Sequence, residues 1–179
     1  MGSLYVTLNR PMPIPVPNAL GCRALGNNDF DAVTRLPFDL DPVRPSGVSS
    51  TDTELTDAIK RRDGLVAMLR KTGWPAPLVA TSGNGAHAVY RVRLPNNAET
   101  AEQFREIYRG LAREFGDDVV AFDTTVRNPG RIWRLYGTTN RKGLATPERP
   151  HRVAQCWIPH LWSRVRAQQI ESLAEPLRS

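Results

Sequence analysis

Val33-Thr34-Arg35-Leu36-Pro37-Phe38-Asp39-Leu40-Asp41 is the stretch on which the reading of the fold turns. Side chains alternate between the faces of a strand, so Asp39 and Asp41 point one way and Phe38 and Leu40 the other. The stretch therefore predicts a strand over 33–41 with one face in a core and one face carrying two carboxylates. Pro37 places it at a sheet edge or a bulge, because proline cannot donate to a ladder. Two carboxylates side by side repel, and a hard divalent cation with oxygen ligands would hold both ionised. The plainer alternative is that acidic residues end a strand at a solvated turn.

Downstream, Thr51 and Glu54 form a capping box opening a helix over 51–71. Leu55, Ile59, Val66 and Leu69 supply its apolar stripe, and Gly73 with Pro75 ends it. A second helix is expected over about 100–115, with Thr100 and Gln103 as its box, Phe104, Ile107, Leu111 and Phe115 as its buried face, and Gly116 as terminator. Further strands are expected over 4–9, 78–81, 87–94, 119–123, 132–137 and 152–157, with a last helix over 162–173. The proline-rich stretch 10–18 reads as a loop. This order argues for an α+β domain around a mixed, largely antiparallel sheet. At 179 residues the chain suits a single domain.

Three more features bear on chemistry. Asp123 ends the apolar run Val119–Phe122, so a third strand-end carboxylate joins Asp39 and Asp41 as a candidate ligand of two cations. Ser82-Gly83-Asn84-Gly85-Ala86-His87 joins two strands; its glycines allow close backbone approach to phosphate oxygens, and Ser82 adds a hydroxyl. It also reads as an ordinary hairpin with a structural histidine, and it is not a Walker loop. Arg127, Arg131, Arg134, Arg141 and Lys142 follow Asp123, interleaved with Trp133, Tyr136 and Asn140; they suit phosphate groups or form a solvated basic face. Alternation puts Arg134 and Tyr136 on one face and Trp133 with Leu135 on the other, so Trp133 reads as core.

A net charge of +6, from 24 basic against 18 acidic residues, favours a polyanionic partner. No apolar run approaches membrane-spanning length, and a cytoplasmic setting with free thiols at Cys22 and Cys156 is expected. A zinc site from Cys22, His151, Cys156 and His160 lacks the tight ligand spacing of zinc knuckles.

The three blocks, in this order, resemble the archaeo-eukaryotic primase superfamily, in particular the primase-polymerase domains of plasmid and phage replication proteins. The blocks are Asp39-Leu40-Asp41, Ser82 through His87, and Phe122-Asp123. The stretches Asp41-Pro42-Val43-Arg44-Pro45, Ser50 through Glu54, Arg134 through Thr138 with Lys142-Gly143, and Glu148 through Arg152 look like the same branch. The resemblance covers about residues 4–160, which implies a core there and a C-terminal helical extension over 161–179. It implies an RRM-like catalytic sheet with a second small α/β lobe, and Mg²⁺ or Mn²⁺ held by Asp39, Asp41 and Asp123. It also implies that Ser82, Gly83, Asn84, Gly85 and His87, with Arg134 and Lys142, meet the phosphates of an incoming nucleotide. The activity implied is template-directed nucleotidyl transfer, with single-stranded DNA and NTP or dNTP as partners, and a helicase on the same or another chain. Relatives often carry further N-terminal elements, so the chain reads as a core fragment or a minimal stand-alone enzyme. Two rival readings are a metal-dependent nuclease and a non-catalytic RRM-like binding module. A nickase would want paired histidines and a nearby tyrosine; a binding module gives no reason for three strand-end aspartates.

Overall fold

The computed structural model describes residues 4–13 and 24–174. The stretch beginning Val33 lies within an eleven-residue strand, β2 (Ala32–Pro42), which follows a short strand, β1 (Tyr5–Thr7). The chain continues through α1 (Asp52–Lys71), β3 (Leu78–Thr81), β4 (Ala86–Pro95), α2 (Ala98–Phe115) and β5 (Val120–Phe122). It ends with β6 (Ile132–Arg134), β7 (Thr139–Asn140), β8 (Arg152–Val153), β9 (Gln155–Trp157) and α3 (Ala167–Ala174). From β2 to β5 the order is βαββαβ, and the sheet order β5-β2-β4-β3 is that of a ferredoxin- or RRM-like sheet. β9 extends this sheet beside β3, while β1–β6 and β7–β8 form two separate two-stranded ladders. Every strand pair is antiparallel, and one isolated parallel bridge joins Arg91 to Arg164. The α+β, largely antiparallel architecture is as the sequence predicts.

Pro37 fits because β5 pairs only with Leu40–Pro42, leaving the earlier part of that edge of β2 without a strand partner among the described residues. The register also shifts between Val33 and Arg35, a bulge of the kind a proline-bearing strand tolerates. The inner face of β2 packs as expected: Phe38 lies 5.4–5.8 Å, centroid to centroid, from Tyr90, Tyr108 and Phe122. Leu36, Phe38 and Leu40 are fully buried beneath the helices.

α1 keeps its capping box, with Thr51 Oγ1 accepting from Glu54 N–H and Glu54 accepting from Thr51 N–H. Its buried stripe is Ala58, Arg62, Leu65 and Leu69, whereas Leu55, Ile59 and Val66 are only half-buried. The apolar pattern passes over Arg62 because it is charged; its guanidinium donates to Ala80 O at 3.0 Å, and Asp63 pairs with it. α2 buries Phe104, Ile107, Leu111 and Phe115 as predicted, but its cap is Asn97, whose side chain accepts from Thr100 N–H. Thr100 is instead buried one turn inside. The strand expected over 132–137 stops at Arg134, and that expected over 152–157 splits around Ala154. α3 is shorter than expected, and Trp162–Arg166 run ahead of it without helix. Of the proline-rich loop, residues 14–18 lie outside the described residues, as does Cys22. Among the described residues no helix is long and apolar enough to cross a membrane.

Candidate active site

The sheet register sets the site. Leu40 pairs with Phe122, so Asp39 and Asp123 come directly opposite, and Asp123 N–H donates to Asp39 O at 2.9 Å. On its other side Asp39 pairs with His87. Opposed residues of antiparallel strands share a face, so Asp123, Asp39 and His87 form one row across three strands. Asp41, two residues along β2, shares that face. The row forms one wall of a cleft of about 390 Å³. Basic and polar side chains line the same cleft: Arg44, Asn84, Arg131, Arg134, Asn140, Arg141 and Lys142.

Burial and crowding of like charges both disfavour an ionised carboxylate, and the acidic row shows both. Burial, then the neighbouring Asp39, raises the Asp41 carboxyl to about 6; Arg44, 3.8 Å away, pulls it the other way. The Asp41 side chain keeps 43% of its surface open, so water tempers the effect without reversing it. Asp39 Oδ1 is buried and makes no hydrogen bond, with His87 Nε2 at 3.4 Å. Asp123 Oδ1 accepts from Thr125 N–H at 2.7 Å, and Asp123 lines the same cleft as Asp39 and Asp41. Among the described residues no three His, Cys, Asp or Glu side chains form a ready cage for a metal ion. The donor set nonetheless fits a hard divalent cation: crowded carboxylates, one raised in pKa, and an orphaned buried oxygen between them. The zinc reading gains nothing, since His151 Nε2 sits 2.9 Å from Gly143 O and His160 is exposed.

The glycine loop is built differently from the phosphate cradle that its composition suggests. Ser82 Oγ accepts from Gly85 N–H at 2.9 Å and Asn84 N–H at 3.3 Å, so these two loop amides close the turn on themselves. Gly83 and Gly85 do not line the cleft; they are glycines because of what crowds them. At Gly83 (φ +88°) a Cβ would sit 2.8 Å from Arg152 O, and at Gly85 it would sit 2.0 Å from Asp41 Oδ1. Asn84 holds the start of α1 through Ser50 N–H, while its buried Nδ2 has no partner. Arg134 is equally placed: Nη2 donates to Tyr5 OH, the guanidinium lies 4.6 Å over the Tyr5 ring, and buried Nη1 is unpartnered. Lys142 is exposed at the rim.

His87 is buried, with its ring 4.3 Å from that of Trp133. Trp133 Nε1–H donates to the Tyr136 oxygen at 2.7 Å, and that hydroxyl lies 2.9 Å from His87 Nδ1. A Tyr136 hydroxyl donating to Nδ1 would place the proton of a neutral His87 ring on Nε2, on the side of Asp39. Burial pushes the Tyr136 pKa up, so it stays a donor. The expected separation of Tyr136 from Trp133 fails because β6 ends at Arg134, and Tyr136 folds back over Trp133. Arg44 also carries more than its place in the sequence suggests; the signal is its spacing three residues after Asp41.

No family model matches the chain, and no curated protein matches it. The solved AEP domain of the Cyanophage S-2L primase-polymerase is similar to it, with a TM-score of 0.47 and 18% identity. The likeness covers 83% of this chain and 64% of that one.

Proposed function

We propose that the chain is the catalytic core of a metal-dependent, template-directed nucleotidyltransferase, a DNA primase-polymerase. The observation that carries the reading is one cleft lined by both carboxylates and unpartnered donors. Among the described residues Asp39 Oδ1 is an orphaned acceptor, and Asn84 Nδ2 and Arg134 Nη1 are orphaned donors. A buried polar atom without a partner costs free energy, so a ligand offering cations to the carboxylates and anionic oxygens to the donors would satisfy both. A nucleoside triphosphate with its divalent metal has that chemistry.

Asp39, Asp41 and Asp123 would hold the cation. Bound there, Mg²⁺ or Mn²⁺ supplies charge neutralisation at the phosphates and lowers the pKa of an attacking hydroxyl. Arg134 and Asn84, with Arg44 and Lys142 at the cleft, would orient the triphosphate. His87 keeps Nε2–H toward Asp39 and toward whatever oxygen lies beside it. In the transfer, a primer 3′-oxygen bonds to the α-phosphorus as the bond to the bridging oxygen of the β-phosphate breaks. Pyrophosphate leaves, and the hydroxyl proton passes to solvent.

The test is incubation with single-stranded DNA, Mg²⁺ or Mn²⁺ and labelled nucleotides, with and without primer. Template-dependent, metal-dependent incorporation is expected. Shortening of the DNA without incorporation would replace this reading with a nuclease, and binding without either reaction with a non-catalytic module.

A further inference from the structure

The same sheet face carries a second pair of opposed like charges, of the opposite sign. Arg35 pairs directly with Arg91, four residues along β2 from Asp39 and roughly 13 Å away at the rise of a strand. Arg164 is brought to them by its bridge to Arg91, with Val165 N–H donating to Arg91 O at 2.8 Å. Trp162 packs against the pair, its ring centroid 4.9 Å from the Arg35 guanidinium and 5.9 Å from that of Arg91.

Among the described residues two of these side chains donate only to backbone carbonyls: Arg35 to Thr34 O and Arg91 to Trp162 O. None of the three has a carboxylate partner among the described residues. Elsewhere the chain pairs its guanidinium groups readily, as in Arg149–Glu54, Arg152–Asp52 and Arg61–Asp117. An uncompensated arginine cluster on an aromatic platform costs stability unless an anion visits it. Arg35 and Arg91 are half-buried, so their forks are held rather than free to swing away into solvent.

We propose that Arg35, Arg91 and Arg164, braced by Trp162, bind the phosphate backbone of single-stranded nucleic acid outside the carboxylate cleft. The inference rests on the reading of the cleft as a template-directed site and adds where the strand is gripped. Planar guanidinium forks match phosphate oxygens, and the shared sheet face fixes the patch at a set distance from the cleft. At an axial rise of 3.4 Å per nucleotide the separation corresponds to about four nucleotides of a helical strand.

The test is fluorescence anisotropy with labelled oligothymidylate across a salt series, on the whole chain, with melting temperatures measured in parallel. Arg164 is exposed and makes no side-chain hydrogen bond among the described residues, so Arg164→Gln keeps the test open if Arg35→Gln/Arg164→Gln fails to fold. The double variant is expected to bind about tenfold or more weakly at low salt. The slope of log affinity against log salt should be shallower by about 1.4, at about 0.7 for each phosphate that is no longer neutralised. Its melting temperature should be unchanged or higher, because a repulsion is relieved. Wild-type affinity and slope in both variants would overturn the patch while leaving the cleft reading standing, provided the wild-type chain incorporates nucleotides. Absence of salt-dependent binding by the wild-type chain would overturn the patch and the template together. Weaker binding that appears only with a fall in melting temperature, while Arg164→Gln binds normally, would assign these arginines to packing and overturn the proposal.

Discussion

Gly85→Ala is a single methyl placed against the acidic wall. Its Cβ would lie 2.0 Å from Asp41 Oδ1 and 2.9 Å from Leu40 O. Both are below the separation that real Cβ contacts show, and the second partner is backbone in a paired strand. The carboxylate must retreat by more than about 1 Å to reach ordinary van der Waals contact near 3.5 Å. A displacement of that size at a reacting centre costs on the order of a hundredfold in rate. Overpacking should cost about 1–3 kcal/mol in stability, or about 2–12 °C in melting temperature for a chain of this length. Gly47→Ala is the control: φ is +80° and nothing lies within 4 Å of the added atom. It should cost about 1–2 kcal/mol from backbone strain alone and leave activity intact below its melting temperature. Primer extension and thermal melts on the two variants decide the matter. Full activity and an unchanged melting temperature in Gly85→Ala would refute the claim that this glycine exists to admit Asp41.

Other perturbations follow from the same contacts. Asp41→Asn should raise thermal stability at pH 7 in the presence of chelator: a carboxyl raised to about 6 favours the folded state when protonated and loses that contribution as pH rises through 6. The gain should vanish below about pH 4, where both states are protonated, and a pH series of melts checks it. Tyr136→Phe removes the oxygen shared by Trp133 and His87, and should cost about 1–3 kcal/mol in stability and slow incorporation about tenfold. Nitrogen chemical shifts of the His87 ring would show its proton leaving Nε2 for a mixture of tautomers. Glu54→Gln breaks a bidentate pair with Arg149 and should cost about 1 kcal/mol at neutral pH. Because Arg149 holds the Glu54 pKa down, the wild-type advantage should disappear as pH falls through that lowered value, again read from melts.

The sheet is legible in the sequence because alternation and helical spacing are local. β2, α1, β3, β4 and α2 fall within a few residues of their expected places, and the side-by-side carboxylates are visible from period two alone. What stays hidden is contact between segments. That Asp39 faces Asp123 depends on strand register, which no single strand encodes. That Ser82 closes its own loop depends on a turn geometry with several solutions. Tyr136 goes to the wrong neighbour when alternation is carried past the end of β6. Arg62 escapes because a charged residue inside an apolar stripe breaks the pattern by which the stripe is found. The opposed Arg35 and Arg91 are open to the same reading as the aspartates, yet they announce themselves only once their strands are paired.

The central claim is that the row Asp123–Asp39–His87 is a metal-dependent nucleotidyl-transfer site. Primer extension by the wild-type chain, Asp39→Asn and Asp123→Asn tests it most directly, with Mn²⁺ binding followed on the same samples by electron paramagnetic resonance. The account predicts incorporation by the wild-type chain only with metal, and loss of both incorporation and tight Mn²⁺ binding in folded Asp39→Asn and Asp123→Asn. Wild-type rates and Mn²⁺ affinity in either folded variant would contradict it.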